Sequence, residues 1–182
     1  MPKLVTFDGE SIPHGLKALA EADRIVGHNV IGFDIPALKK MYGFSPPLVK
    51  VLDTMVMARC IAPDIRNDDI LELARLSRGH SLRAWGLRLN KLTKLCYGEQ
   101  DGAFDSYNDE MRKYCERDCV VTQILYDELL KQEPSIKMLE NEHRFAFIIS
   151  QQERRGFAFN IKKAEELELK LMTARAEIAD EL

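Results

Sequence analysis

Long apolar runs are missing from this sequence. No stretch approaches the about 18 consecutive apolar residues that a bilayer-spanning helix needs, and nothing after Met1-Pro2-Lys3 has the build of a secretory leader. An intracellular, cytoplasmic protein without membrane contact is therefore expected. Paired Cys-x2-Cys knuckles are missing too. Of the four cysteines, Cys60, Cys96, Cys115 and Cys119, the last two stand at helical spacing, where a disulfide is geometrically unfavourable. They read as buried or half-buried free thiols in a reducing compartment. Excess charge of one sign is absent as well. A formal charge of −3 provides no global attraction for phosphates, although a local basic rim would serve a protein that grips only a strand end. Internal repeats, low-complexity tracts and Gly/Ser linkers are absent, so nothing divides the chain by composition.

What is present centres on Ser106 to Gln132, SYNDEMRKYCERDCVVTQILYDELLKQ. Ser or Asn at its start, acidic residues in its first turn and apolar residues recurring at three and four predict a helix. Tyr114 and Asp118 stand four apart, which puts a phenol and a carboxylate on one face, one turn above the other. The second informative stretch is Arg24 to Leu38, RIVGHNVIGFDIPAL. It reads as a short buried strand that breaks at Gly27, passes Asn29, and enters a helix through Phe33-Asp34.

A strand-to-helix turn ending N-x3-FD, followed by a helix carrying Y-x3-D, resembles the second and third motifs of the DEDD 3′-5′ exonucleases. The chain is similar in particular to the proofreading domain of phage-type family A DNA polymerases. The likeness runs from Leu4 onward through LDTMVMARCI, GHSLRAWGLRLNKLTKLCY, YCERDCVVTQILYDEL and EHRFAFIISQQERRGFAFN. It implies an α/β, RNase H-like exonuclease fold with a helix-rich C-terminal half. Residues 1–133 would form the exonuclease-like domain, and 134–182 a helical segment leading toward a polymerase thumb. No polymerase palm follows in the space available, so polymerisation is not expected of this chain alone.

Taken in order, Lys3 to Phe7 is strand-like and ends at Asp8-Gly9. A helix is expected over Ser11 to Ala22, a strand over Arg24 to Val26, and a helix over Phe33 to Tyr42 closed by Gly43. A strand over Leu48 to Leu52 delivers Asp53-Thr54 into a helix reaching about Ile61. This alternation indicates a largely parallel inner sheet. Beyond it, Asp68 to Ser77 and Ser81 to Leu89 read as helices, with Trp85 in a packing role. Asn90 to Asp105 reads as an exposed loop. Pro134 marks a break before a helix over Ile136 to Arg155; Gly156 to Phe159 reads as a short strand or turn, and Asn160 caps a last charged helix.

The resemblance also implies a chemistry. Sites of this class hydrolyse a phosphodiester with two divalent cations about 3.5 to 4 Å apart, Mg²⁺ or Mn²⁺, which call for oxygen ligands. Asp118 would be a direct metal ligand and Asp34 would hold the second metal through water. Tyr114 would orient the attacking water, and Asn29 and His28 would lie beside the terminal nucleotide of a single-stranded DNA 3′ end.

The family's first motif, a D-x-E on the central strand, supplies two further carboxylates well upstream of the N-x3-FD turn. Asp8-Gly9-Glu10 has the right letters, and alternate residues of a strand share a face. Only a helix and a strand separate it from Asn29, however, so KLVTFDGE matches better the family's third strand and the cap of its first helix. On that reading the fold is N-terminally incomplete and half of the metal ligands are absent. Weak or no activity is then expected of the isolated chain, together with self-association, or completion by missing polymerase segments or another replication protein. The runner-up is a non-catalytic exonuclease-like module that binds single-stranded DNA or a replication protein. A third reading has Asp8 and Glu10 complete a compact site.

Overall fold

Two short apolar strands carry the first half of the protein. The computed structural model describes residues 3–65, 79–89 and 105–180. The β-branched Ile25-Val26 begins β1 (Ile25–Gly27), and Val51-Leu52 begins β2 (Val51–Asp53). They pair in parallel, Ile25 beside Val51, Val26 beside Leu52 and Gly27 beside Asp53. Parallel neighbours require a crossover. The chain between them supplies α2 (Asp34–Tyr42), which Gly43 ends in the left-handed conformation at φ 69°. The Gly43 and Phe44 amides return to the carbonyls of Lys39 and Leu38 at 3.0 and 3.4 Å, satisfying helix-end acceptors at a φ that costs glycine nothing.

The other helices start where side-chain caps allow. Helix α1 (Ile12–Glu21) has proline in its first turn, where a missing N–H is harmless. Asp53 caps α3 (Thr54–Ile61), Ser81 caps α4 (Leu82–Arg88) and Asn108 caps α5 (Asp109–Leu130). Each such cap contributes about 1 kcal/mol. Helix α6 (Ile136–Arg155) follows Pro134, and α7 (Ile161–Asp180) begins where Asn160 Oδ1 accepts from the Lys163 amide at 3.0 Å.

The main core gathers Met57 and Ala58 of α3, Trp85 of α4, Leu125 and Leu129 of α5 and Leu139 of α6. Trp85 thus has the packing role expected of it. A second cluster, Val30, Ile31 and Val51, packs behind the turn that follows β1. Burial of each large apolar side chain contributes about 1.5–3 kcal/mol.

The result is a mixed α/β protein, mostly helical, with a two-stranded parallel sheet. It corrects three expectations. Lys3–Phe7 forms no strand: among the described residues nothing pairs with it, and a strand exists only through its ladder. Residues 156–160 are irregular for the same reason. The Leu48–Leu52 strand starts later than expected, because Leu48–Lys50 forms a 3-10 turn. The helix expected at Asp68–Ser77 lies outside the described residues, as does the loop expected at Asn90–Asp105 except for Asp105.

The chain divides into two compact units, Met1–Ser150 and Gln151–Leu182. The division falls within α6, whose Leu139, His143 and Ser150 are buried in the first unit. In the second unit, α7 has no buried residue. Among the described residues no helix is long and apolar enough to cross a membrane.

Candidate functional site

The turn from Gly27 to Asp34 is built around a carboxylate that lies outside it. Asp53, at the end of β2 and 1% exposed, accepts hydrogen bonds from the amides of Asn29 (2.9 Å), Ile31 (3.1 Å) and Met55 (2.9 Å). Parallel pairing sets Gly27 beside Asp53, so the chain leaving β1 has to pass over this acceptor. Asn29 takes a positive φ of 60°, a conformation asparagine tolerates better than most residues. Its carbonyl accepts from the Gly32 and Phe33 amides at 3.1 and 2.9 Å.

Both glycines of the turn are there for space. A Cβ on Gly27 would stand 2.6 Å from Val30 Cβ, and one on Gly32 would stand 2.5 Å from Asn29 Oδ1. Asp34 follows as the first residue of α2.

His28 faces inward. Its Nδ1 lies 2.9 Å from Thr54 Oγ1 and its Nε2 2.9 Å from the His80 carbonyl. Burial pulls its pKa down, against the opposing charge of Asp53. In the neutral ring Nε2–H donates to the carbonyl, which leaves Nδ1 an acceptor beside the Thr54 hydroxyl, whose single proton is shared between it and the Gly27 carbonyl at 3.2 Å. Both ring nitrogens are thereby engaged within the protein.

Helix α5 carries the second group. Tyr114 and Asp118 are half-buried and hydrogen-bonded to one another. Desolvation raises the Tyr114 pKa, and the charge and hydrogen bond of Asp118 raise it further. Desolvation also raises Asp118, against the Tyr114 bond and the Arg117 charge. The Arg117 guanidinium stands 5.4 Å over the Tyr114 ring.

Asp34 has an accessible side chain that is nonetheless crowded by protein. That crowding lifts its carboxyl, its own backbone hydrogen bond opposes the rise, and the Asp53 charge adds to it. Asp34 and α5 are electrostatic neighbours. Cys115 and Cys119 have raised thiol pKa values, through desolvation first, and the charges of Asp118 and Asp34 both contribute. These two thiols are exposed, which corrects the expectation of buried or half-buried ones; Cys60 is half-buried.

Asp8 stands at the cap of the Gly9–Ser11 turn, where Ser11 Oγ accepts from its amide at 2.7 Å and Glu10 lies within the turn. The Asp8 carboxylate accepts from the Tyr107 hydroxyl at 3.0 Å, and Thr6 Oγ1 donates to Glu116 at 2.8 Å. Both bonds tie the N-terminal segment to the α5 region.

Asp34 and Asp118 offer the hard oxygen donors that Mg²⁺ or Mn²⁺ prefer. Their number does not complete a two-cation site, and no group of three or more His, Cys, Asp or Glu among the described residues is arranged to hold a metal ion. Reading the motifs missed Asp53 and His143, the residues that organise the turn. The available signal was a carboxylate ending an apolar run at a helix N-cap position. His143, within a helix 90 residues further on, left no local signal.

No family model matches the chain. Its sequence is related to DNA-directed DNA polymerases of phages. It is 30% identical to that of Escherichia phage T7 over 208 aligned positions, covering 90% of this chain and 30% of the relative. To that of Enterobacteria phage T3 it is 30% identical over 198 positions, covering 85% of this chain and 28% of the relative. The chain thus spans less than a third of the length of either. The aligned positions outnumber its 182 residues, so the relatives carry segments with no counterpart here.

Proposed function

We propose that the chain is the 3′-5′ exonuclease, proofreading region of a phage-type DNA polymerase, with an RNase H-like fold. The observation that carries this reading is the sequence relationship to phage DNA polymerases, and the electrostatic setting of the two motif elements is consistent with it. The hydrogen-bonded Tyr114–Asp118 pair on α5 shares with Asp34, at the start of α2, an electrostatic neighbourhood marked by Cys115 and Cys119. Two carboxylates raised by desolvation, Asp118 half-buried beside the Tyr114 phenol and Asp34 accessible at a helix start, suit groups that meet a cationic ligand better than groups that serve packing.

In this reading Asp118 and Asp34 hold Mg²⁺ or Mn²⁺, which when bound supplies a polarised water and neutralises charge at the phosphate. Tyr114 orients that water through its hydroxyl, with Asp118 as acceptor fixing the ring. Asn29 is assigned to contact with the terminal nucleotide. His28 acts from behind, holding the turn to Thr54 and to the His80 carbonyl. Further oxygen donors come from a missing polymerase segment or a second protein, since two carboxylates are too few for two cations. The substrate is a single-stranded DNA 3′ end.

The test is nucleotide release from a 5′-labelled single strand in Mg²⁺ or Mn²⁺, by the chain alone and with a peptide drawn from the part of the phage T7 polymerase that has no counterpart in this chain. Release that appears with the peptide and disappears in Asp118→Ala supports the proposal. No release under either condition, with single-strand binding unchanged by EDTA, overturns it in favour of a non-catalytic binding module.

A further inference from the structure

The Asn29–Asp34 turn is held from a third side, by α6. His143 is 4% exposed. Its Nε2 accepts from the Asp53 amide at 2.8 Å, and its Nδ1 donates to the Leu139 carbonyl at 2.7 Å. The ring is thereby set in the Nδ1–H form, with Nε2 turned to β2. Two helical turns further on, Ser150 Oγ donates to the Ile31 carbonyl at 3.2 Å. Asp53 in turn grips the Asn29 and Ile31 amides. One helix therefore fixes both the residue that clamps the turn and the turn itself.

Apolar packing does not do this work alone. A cavity of about 510 Å³ lies against β2 and α6, with Leu48, Val51, Leu52, Met57, Leu139 and His143 among its lining residues. A gap of that size removes contacts that would otherwise hold the helix at one distance from the strand. Directional hydrogen bonds fix what loose packing leaves adjustable.

We propose that His143 is a positioning residue: through the Asp53 amide its Nε2 sets the geometry of the Asn29–Asp34 turn and so the placement of Asp34. Ser150 is its partner at the other end of the turn. The consequence for metal binding rests on the proposed exonuclease reading; the consequence for the turn does not.

The test compares His143→Gln, whose side-chain oxygen can still accept from the Asp53 amide, with His143→Leu, which cannot. Amide hydrogen exchange is followed by NMR, and Mn²⁺ is titrated against the Asp34 and Asp118 resonances. The leucine variant is expected to speed exchange at Asn29 and Ile31 at least tenfold, leave Leu125 and Leu129 unchanged, and weaken Mn²⁺ broadening at Asp34. Glutamine is expected to restore protection. Ser150→Ala, the milder change, is expected to speed exchange selectively at the same amides by a few-fold, and it serves as the test if the leucine variant does not fold. Exchange that rises equally at every amide, or stays unchanged at Asn29 and Ile31, overturns the proposal. If Mn²⁺ broadening is absent even at high Mn²⁺ with the exchange pattern as expected, the role of Asp34 as a metal ligand fails while the positioning of the turn stands.

Discussion

The two halves of the candidate site are built in opposite ways. The turn from Gly27 to Asp34 is held by distant groups: the Asp53 carboxylate, the His28 contacts to Thr54 and His80, and Ser150 on the Ile31 carbonyl. The Tyr114–Asp118 face is held by its own helix, whose repeat brings phenol and carboxylate together with one hydrogen bond. Substitutions behind the turn should therefore affect the fold, and substitutions on the helix face should leave it standing. Asp53→Ala gives the largest expected effect. Three amides would lose their acceptor, that of Ile31 buried and those of Asn29 and Met55 partly buried, at up to about 1–3 kcal/mol each, a large share of the about 5–15 kcal/mol available to such a domain. Urea denaturation should show a collapse of the midpoint, whereas Tyr114→Phe should cost about 1 kcal/mol or less. Equal losses in the two variants would erase the distinction.

The same contrast governs what could be read from sequence. The Y-x3-D face was legible because its geometry is local: residues four apart on a helix are neighbours in any protein. The N-x3-FD turn was legible as a break between strand and helix, through Gly27 and Phe33-Asp34. Its supports were not, since Asp53 and His143 act on amides 24 and 90 residues away in sequence. Helix ends were read well where a cap or glycine marks them, as at Ser81, Asn108 and Gly43. The Lys3–Phe7 strand failed because strand propensity cannot supply a pairing partner.

A smaller effect is expected inside the turn. Gly27→Ala would put a methyl group 2.6 Å from Val30 Cβ, and the neighbour cannot swing away because Val30 is 5% exposed. Overpacking of this kind costs about 1–3 kcal/mol. Gly43→Ala differs in cause: there the space is open and only the φ of 69° is strained, at about 1 kcal/mol. Thermal melts of the two variants separate crowding from backbone strain. A milder Gly27 variant would mean that the turn yields more than its hydrogen bonds suggest.

On the helix face, a stabilising substitution is expected. Asp118 has its pKa raised by burial, so the folded state holds that proton more tightly than the unfolded state does. Its contribution is favourable below the ordinary aspartate value and is lost as pH rises through the raised one; at neutral pH the cost is fully in place. Asp118→Asn should therefore stabilise the protein at pH 7, with the gain vanishing once pH falls below the ordinary aspartate value. Urea midpoints at pH 7 and below that value would reveal it. A loss of stability at pH 7 would mean that the carboxylate is a structural acceptor.

The smallest effect tests whether the two halves meet. Cys115 and Cys119 are exposed, and their thiols are raised by desolvation and by the charges of Asp118 and Asp34. Alkylation requires the thiolate, so at neutral pH both should react slowly. Removing the Asp118 charge acts within α5, whereas Asp34→Asn removes a charge that belongs to the turn. If the turn and the helix face share one site, Asp34→Asn should speed iodoacetamide labelling of both cysteines by about twofold without affecting Cys60. High salt should weaken the difference, because charges near solvent are screened over about 10 Å. Unchanged rates would place Asp34 too far from α5 to share a ligand with Asp118, and the helix face would then have to find its second carboxylate elsewhere.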